Sequence, residues 1–189
     1  MTGPDNRDAL REALKRSASA LKAAGVPFAL AGSYALWVRG APESEHDVDF
    51  VVAEDDTERA AQALTAAGLT ILRPPEDWLF KADVDGVLVD VLHRQAGVAV
   101  TPELLNRAEV IEVLSIRMPV LDATDLMASK LQVLAEHYCD FGAVLPAIRA
   151  VREQLDWPRL RKEVAGNEYA NALLFLTDRL GISPAEDED

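Results

Sequence analysis

The sequence predicts an α+β fold in which an N-terminal module, residues 1–118, precedes a small helical module, residues 119–181. Short apolar runs typical of strands alternate with helical periodicity throughout the first part of the chain. From Asp122 onward only helical patterns follow, which places the boundary near Pro119. The remaining residues, 182–189, are rich in acids and are expected to form a disordered tail.

Composition and charge limit the classes of function. Apolar residues make up 49% of the chain and charged residues 27%, as in ordinary globular proteins. No apolar run approaches the roughly 20 residues of a membrane helix, and the N-terminus lacks an apolar signal segment. The single cysteine, Cys139, excludes an internal disulfide, so we expect a cytoplasmic protein. The net charge of −13 disfavours broad, non-specific nucleic-acid binding.

Helices and strands alternate through the first module. Residues 5–24 have apolar side chains at three- and four-residue steps, which predicts an amphipathic helix that ends at Gly25. Two strands are expected within residues 78–93, joined at Asp85-Gly86, a common hairpin turn. The other predicted elements are strands at 26–31, 47–52 and 110–116, helices at 33–40, 57–67 and 101–108, and C-terminal helices at 122–138, 140–153, 157–164 and 167–180.

Two aspartates, Asp47 and Asp49, interrupt a run that otherwise predicts a strand. Side chains at i and i+2 of a strand point to the same face, so the two carboxylates project together, about 6.5 Å apart. Aspartate is disfavoured in strands, and adjacent like charges oppose each other's ionisation, so we expect a cation to offset the cost. Magnesium, which prefers carboxylate oxygens, does so directly. An exposed, inert pair on an edge strand is the alternative.

A third acid, Asp90, interrupts the apolar strand VLVDVLH, which is expected to be buried on both faces. An isolated buried carboxylate is costly, so Asp90 needs a partner. If its strand neighbours that of Asp47 and Asp49, three carboxylates form a site for one or two magnesium ions that act on phosphate. The alternative is an acid held in the core by a salt bridge.

Gly32 and Ser33 stand between a predicted strand and a predicted helix, and the thirteen residues 34–46 separate them from Asp47. A glycine here lets the backbone approach phosphate oxygens, and the helix offers free N–H groups. The Ser33 hydroxyl is expected to cap the helix, to bind a phosphate oxygen, or to do both. A plain helix cap without a ligand is the alternative.

The stretch AGSYALWVRGAPESEHDVDFVV, residues 31–52, resembles the motif of the nucleotidyltransferase superfamily that shares the DNA polymerase beta fold. The matching residues are Ala31, Gly32, Ser33, Asp47, Val48, Asp49 and Phe50, with Asp90 as the third acid. The resemblance implies a mixed sheet flanked by helices. It also implies transfer of a nucleoside monophosphate from a nucleoside triphosphate (NTP) to an acceptor hydroxyl, with release of pyrophosphate.

The same resemblance implies a role for each residue of the motif. Asp47 and Asp49 would bind Mg²⁺, and Asp90 would bind a second ion or accept the proton of the acceptor hydroxyl. Gly32 and Ser33 would bind the departing pyrophosphate portion of the nucleotide.

Residues 120–141, VLDATDLMASKLQVLAEHYCDF, are similar to a helix of AbiEii-type nucleotidyltransferase toxins. In those proteins a lysine precedes a later basic residue and an acid, which Lys130, His137 and Asp140 match; Ala143 departs from the pattern. The apolar stripe independently directs Lys130 toward the first module, where it would neutralise triphosphate charge. A snorkelling lysine is the alternative. His137, on the same stripe, is expected to be an interface residue.

The motif does not identify the acceptor, but the Lys130 helix favours the toxin-like branch, and a small-molecule acceptor is the alternative. The toxin-like similarity implies an RNA end or a protein as acceptor, together with an antitoxin partner. The acidic charge is compatible with cationic small molecules, such as the acceptors of aminoglycoside nucleotidyltransferases, and lincosamide-like enzymes share the motif. A non-catalytic module that kept the fold is an alternative from a different class.

Several further residues have less specific expectations. Lys81 and Arg39 are candidates for phosphate contacts, although a solvated surface position is favoured for both. Trp37 and Trp78 are expected in the core rather than stacked on a base. A basic patch for one RNA end, with a solvated helix face favoured instead, consists of Arg159, Arg161 and Lys162.

Overall fold

A computed structural model describes the chain from residue 4 to residue 184. The strands are β1 Ala29–Ala31, β2 Val48–Val51, β3 Thr70–Leu72, β4 Leu79–Val84, β5 Val87–Leu92, β6 Arg94–Gln95, β7 Val98–Ala99, β8 Glu109–Val113 and β9 Ile116–Val120. The helices are α1 Pro4–Ala23, α2 Gly32–Val38, α3 Thr57–Ala66, α4 Pro102–Asn106, α5 Ala123–Gln132, α6 Phe141–Val151, α7 Trp157–Val164 and α8 Glu168–Arg179. Two short 3₁₀ turns complete the elements, Glu54–Asp56 and Arg152–Gln154.

A seven-stranded mixed sheet organises the fold, in the order β3–β4–β5–β2–β1–β9–β8. The central strand β2 is antiparallel to β1 and parallel to β5, and β1 is parallel to β9 on its other side. Strands β6 and β7 form a separate small hairpin. Helices lie against this sheet, so the predicted α+β class with a mixed, helix-flanked sheet is confirmed.

Alternation along the central strands determines which side chains enter the core. Val48, Phe50, Val89 and Val91 are fully buried, as their period-two spacing predicts. The opposite face is less covered than the sequence suggested, because Leu88 on β5 is 41% exposed. The expectation that the Asp90 strand is buried on both faces is therefore wrong, and the acids project from its open face.

The hairpin of β4 and β5 is confirmed at its predicted turn. Asp85 and Gly86 both have positive φ angles, 53° and 88°, as the tight turn between two antiparallel strands requires. The register that follows pairs Lys81 with Asp90. Asp90 is the third acid predicted for the site, and its cross-strand neighbour is Lys81.

The sequence predicts one strand where the structure has a second hairpin. The single strand expected at 110–116 is two strands, β8 and β9, joined at Leu114 and Ser115, which both have positive φ. Pro119, where the sequence places the module boundary, lies within β9 although proline is uncommon inside strands. The predicted division after residue 118 falls inside this strand and stays a prediction.

Helix α5 is shorter than predicted and ends at Gln132 rather than at 138. Ala135 and Tyr138 exchange backbone hydrogen bonds, which form a turn in place of further helix. His137 lies in this turn and is exposed, so its expected position on the apolar stripe is wrong. Asp140 caps the next helix, α6, by accepting a hydrogen bond from the Ala143 N–H.

The C-terminal end is ordered further than expected. Ile182 and Ser183 are buried, so the predicted tail does not begin at residue 182. Residues 185–189, the rest of that prediction, lie outside the described part of the chain. Within residues 4–184, none of the helices has the length and apolar content needed to cross a lipid bilayer.

Arg39 connects the end of α2 to β9, and its side chain is only 6% exposed. It donates hydrogen bonds to the carbonyl oxygens of Leu121 and Val120 and pairs with Glu109. The expectation of a solvated surface position is wrong. Arg39 is a structural residue because a buried guanidinium satisfies buried carbonyl groups.

We therefore predict that Arg39→Met lowers the free energy of unfolding by about 2 kcal/mol, because the carbonyls of Val120 and Leu121 lose their donor. The matched control is Arg73→Met, since Arg73 forms an exposed ion pair with Glu58 and such pairs contribute about 0–1 kcal/mol. Chemical denaturation of both variants measures the difference. Equal effects in the two variants would contradict the structural role of Arg39.

Candidate active site

A cavity of about 600 Å³ opens beside the ends of β1 and β2 and is bordered by α2, α5 and the β6–β7 hairpin. Its lining includes five of the residues predicted from sequence, namely Gly32, Ser33, Asp47, Asp49 and Lys130. These residues come from three separate segments of the chain. The structure thus brings the expected phosphate-binding loop, the acid pair and the helical lysine into one cleft.

Gly32 is required by two independent features of this cleft. Its φ is +59°, a backbone conformation that L side chains rarely adopt. A Cβ at this position would lie 1.8 Å from the Oδ2 atom of Asp49, far inside contact distance. The glycine therefore makes room for the Asp49 carboxylate, which packs directly against the start of α2.

The expected capping role of Ser33 is wrong. Ala31 is the N-cap residue of α2, and no side chain caps this helix. Ser33 instead lies in the first turn and lines the cleft. Its hydroxyl is thereby placed to contact a bound ligand.

The two aspartates lie at the entrance of β2. Asp47 directly precedes the strand and is exposed, whereas Asp49 is within it and partly buried. Asp49 is directly opposite Asp90 on the parallel strand β5, which confirms the predicted neighbourhood of the two strands. Adjacent strands lie about 4.8 Å apart, so the backbones of these two acids are close.

The environment of Asp49 opposes its ionisation. Burial raises the pKa of Asp49 to about 7, and the negative charges of Asp47 and Asp90 act in the same direction. The positive charges of Lys130 and Lys81 act in the opposite direction but do not cancel the effect. The environment therefore favours the neutral form of Asp49 as long as no additional cation lies beside it.

Asp90 has a partner within the protein. The Lys81 Nζ donates to both carboxylate oxygens of Asp90 at 2.7 Å, across the register pair of β4 and β5. The side chains of Lys81 and Asp90 are 30% and 16% exposed, respectively. The expectation of a solvated surface position for Lys81 is therefore wrong. The alternative expectation for Asp90, an acid held by a salt bridge, matches this contact.

The donor set suits a hard divalent cation. Mg²⁺ in nucleotide enzymes is bound by one or two carboxylates, completed by substrate phosphates and water. Asp47 and Asp49 supply such carboxylates, and a bound cation would offset the effect of burial and of the neighbouring negative charges on Asp49. Within residues 4–184, no three His, Cys, Asp or Glu side chains are grouped as a ligand set. The assignment of Asp47, Asp49 and Asp90 to magnesium stays a prediction.

Sequence reasoning missed part of the cleft wall. Trp78 is 43% exposed and lines the cavity, so its expected place in the core is wrong. The backbone N–H of His93 donates to the Trp78 carbonyl, which extends the pairing of β4 and β5 beyond the two strands. Arg94 and Gln95 line the same wall. No motif in the sequence marks these residues, because their position depends on the hairpin register.

The other candidate residues lie elsewhere or have structural partners. Trp37 packs against the core and stacks edge-on with Tyr34, as expected. Neither His137 nor Asp140 lines the cleft. The basic patch is largely neutralised, because Arg159 pairs with Asp122 and Arg161 with Asp178.

Comparison with known proteins identifies the fold. No protein-family model matches the chain, and no curated protein matches its sequence. Thirteen chains of solved structures do match. The antibiotic-resistance factor ANT(2'')-Ia aligns with a TM-score of 0.60 and 11% identity over 90% of this chain and 97% of its own.

Two further structures extend this result. ANT(2'')-Ia in complex with adenylyl-2''-tobramycin aligns with a TM-score of 0.59 and 12% identity over 82% of this chain and 95% of its own. An antigenic nucleotidyltransferase-like protein from Paracoccidioides brasiliensis aligns with a TM-score of 0.60 and 14% identity over 93% and 94%. The chain thus has a nucleotidyltransferase fold. The similarity to AbiEii-type toxins stays a prediction.

We predict that Gly32→Ala is more destabilising than Gly25→Ala. Both glycines have similar positive φ angles, but nothing lies within 4 Å of a Cβ at Gly25. Gly25→Ala therefore reports the backbone strain alone, about 1 kcal/mol. Gly32→Ala adds the clash with Asp49 and should cost at least about 2 kcal/mol more. Thermal unfolding measures both, and equal losses would contradict the close packing of Gly32 on Asp49.

A second prediction concerns pH. Because the folded-state pKa of Asp49, about 7, exceeds its ordinary value of 3.8, stability is lost as pH rises between these values. Asp49→Asn removes this loss. In protein freed of metal with a chelator, we expect the Tm advantage of Asp49→Asn over wild type to be larger at pH 8 than at pH 5. An advantage that is constant or shrinks with rising pH would contradict the raised pKa.

Proposed function

We propose that this protein is a metal-dependent nucleotidyltransferase that transfers a nucleoside monophosphate from an NTP to an acceptor hydroxyl and releases pyrophosphate. One observation supports this function best. In a chain with a nucleotidyltransferase fold, the Gly32–Ser33 turn, the acids Asp47 and Asp49 and the cation Lys130 line a single cleft. The cleft is large enough for a nucleotide-sized ligand.

The proposed role of each cleft residue follows largely from its charge. Asp47 and Asp49 hold a divalent cation together with the triphosphate of the substrate. When bound, this ion neutralises triphosphate charge and stabilises the charge that develops at the α-phosphorus. Gly32 and Ser33 bind the pyrophosphate portion, and Lys130 from α5 compensates its negative charge. Asp90 serves as a ligand for a second ion or as the acceptor of the hydroxyl proton.

The exposed wall of the cleft suits the nucleoside. Trp78 offers an aromatic face, and stacking of a base on an aromatic side chain contributes about 1–3 kcal/mol. Arg94 lies on the same wall, within 4 Å of the acids Glu54 and Asp77. This part of the site recognises the base by stacking and therefore does not by itself select one NTP.

A small cationic acceptor is the best-supported choice. The net charge of −13 attracts cations and repels RNA. ANT(2'')-Ia, which aligns over nearly its whole length, has been solved with adenylyl-2''-tobramycin. The toxin-like alternative, with an RNA end or a protein as acceptor and an antitoxin as partner, depends on the pattern Lys130, His137 and Asp140. Of these three residues, only Lys130 lines the cleft.

The test is a transfer assay with Mg²⁺ and each α-labelled NTP, offering an aminoglycoside, tRNA and protein as acceptors. We expect label on the aminoglycoside, and at least about a 100-fold loss in Asp47→Ala and Asp49→Ala, the scale on which removal of one electrostatic group lowers kcat. The exposed Asp8 on α1, changed to Ala, is the matched control.

Each outcome of this assay separates the alternatives. Label on tRNA or protein alone would favour the toxin-like function. Undiminished transfer in both cleft variants would overturn the metal assignment. Nucleotide binding without transfer to any acceptor would favour the non-catalytic module.

A further inference from the structure

We propose that Lys81 takes the place of a second metal ion, so that the cleft binds one divalent cation through Asp47 and Asp49 while Asp90 is held by an ammonium group. This inference rests on the proposed function, because it concerns the number of ions at the same site. It also assigns a role to Lys81, which the motif does not include.

The geometry of the sheet supports this assignment. Strands β4, β5 and β2 are consecutive, and their register aligns Lys81, Asp90 and Asp49 in one row. The Lys81 Nζ is 2.7 Å from both oxygens of Asp90, so it occupies the carboxylate symmetrically. Since the donor and acceptor belong to neighbouring strands of the same sheet, the contact is fixed by the backbone and not by a mobile loop.

The charges of the site lead to the same count of ions. The three carboxylates of Asp47, Asp49 and Asp90, together with the ammonium groups of Lys81 and Lys130, leave one negative charge, which a single divalent ion more than neutralises. An ion that used both Asp90 oxygens would displace Lys81 and leave a partly buried ammonium without its partner. An ion at Asp47 and Asp49 meets no such cost, because Asp47 is exposed to solvent.

The role of Lys81 is that of a positioning residue. It orients Asp90 and compensates its charge, without lining the cleft where substrate binds. Each carboxylate oxygen has two lone pairs, so the contact with Lys81 leaves capacity on Asp90 for a further hydrogen bond. Asp90 therefore keeps a free acceptor position, although like Lys81 it does not itself line the cleft.

Counting bound Mn²⁺ tests the inference independently of catalysis. Mn²⁺ is titrated into full-length, nucleotide-free protein, and free Mn²⁺ is measured by its electron paramagnetic resonance signal. We expect one ion per wild-type chain and a second ion in Lys81→Met, bound at least about tenfold more tightly than any second ion in wild type. The double variant Lys81→Met with Asp90→Asn should return to one ion.

The matched control is Lys15→Met. Lys15 also pairs with a carboxylate, that of Glu12, but it lies on α1 and does not line the cleft. This variant removes one positive charge from the chain and should still bind one ion. Lys81→Arg, which keeps a cation beside Asp90, should do the same.

The outcomes distinguish this inference from the proposed function. Two ions in wild type, or one ion in Lys81→Met, would overturn the role of Lys81 while leaving a metal-dependent transferase intact. If Lys81→Met fails to fold, the number of Mn²⁺ ions bound by the wild-type protein still tests the inference. If Asp47→Asn leaves Mn²⁺ binding unchanged, the metal site itself fails, and the proposed function fails with it.

Discussion

The contact between Asp49 and Gly32 is the constraint on which the site depends. The antiparallel pairing of β1 with β2 puts Ala31 opposite Asp49, so the carboxylate lies against the first residue of α2. Any side chain at position 32 would occupy the volume of the Asp49 carboxylate. The glycine of the motif therefore makes room for the acid as well as forming part of the proposed phosphate site, and the register between β1 and β2 positions both.

Concentrating acids in a partly buried cleft has an electrostatic cost, and the chain offsets it in two ways. Lys81 compensates Asp90 through a contact fixed by the sheet. Among residues 4–184, none forms an ion pair with Asp49, and burial together with the charges of Asp47 and Asp90 raises its pKa to about 7. The protein thus pairs one acid internally and leaves the other without an ion pair, as the proposed binding of a cation at Asp49 requires.

Local signals allowed much of the fold to be predicted, and five of the residues that they selected line one cleft. The turn at Asp85-Gly86 and the alternation around Asp49 depend on neighbouring residues, and both are confirmed. The pairing of Lys81 with Asp90 follows from the two-residue turn at Asp85-Gly86, which fixes the hairpin register. The parallel pairing of β5 with β2, which puts this pair beside Asp49, is not encoded in any short segment. The exposure of Trp78 depends on the hairpin register. The strand β9 escaped prediction because Pro119 disfavours strands and tertiary pairing overrides that preference.

The position of Lys130 shows why the two halves of the chain form one site. Strand β9 pairs with β1, and the Leu121 N–H donates to the Leu30 carbonyl immediately before α5 begins. The first turn of α5 is then fixed by the buried Asp125, to which Arg107 donates two hydrogen bonds of 3.0 and 2.9 Å. This ion pair of the buried Asp125 anchors the helix that carries Lys130. Since the acids lie on β2 and this cation on α5, the cleft requires the return of the chain through β9.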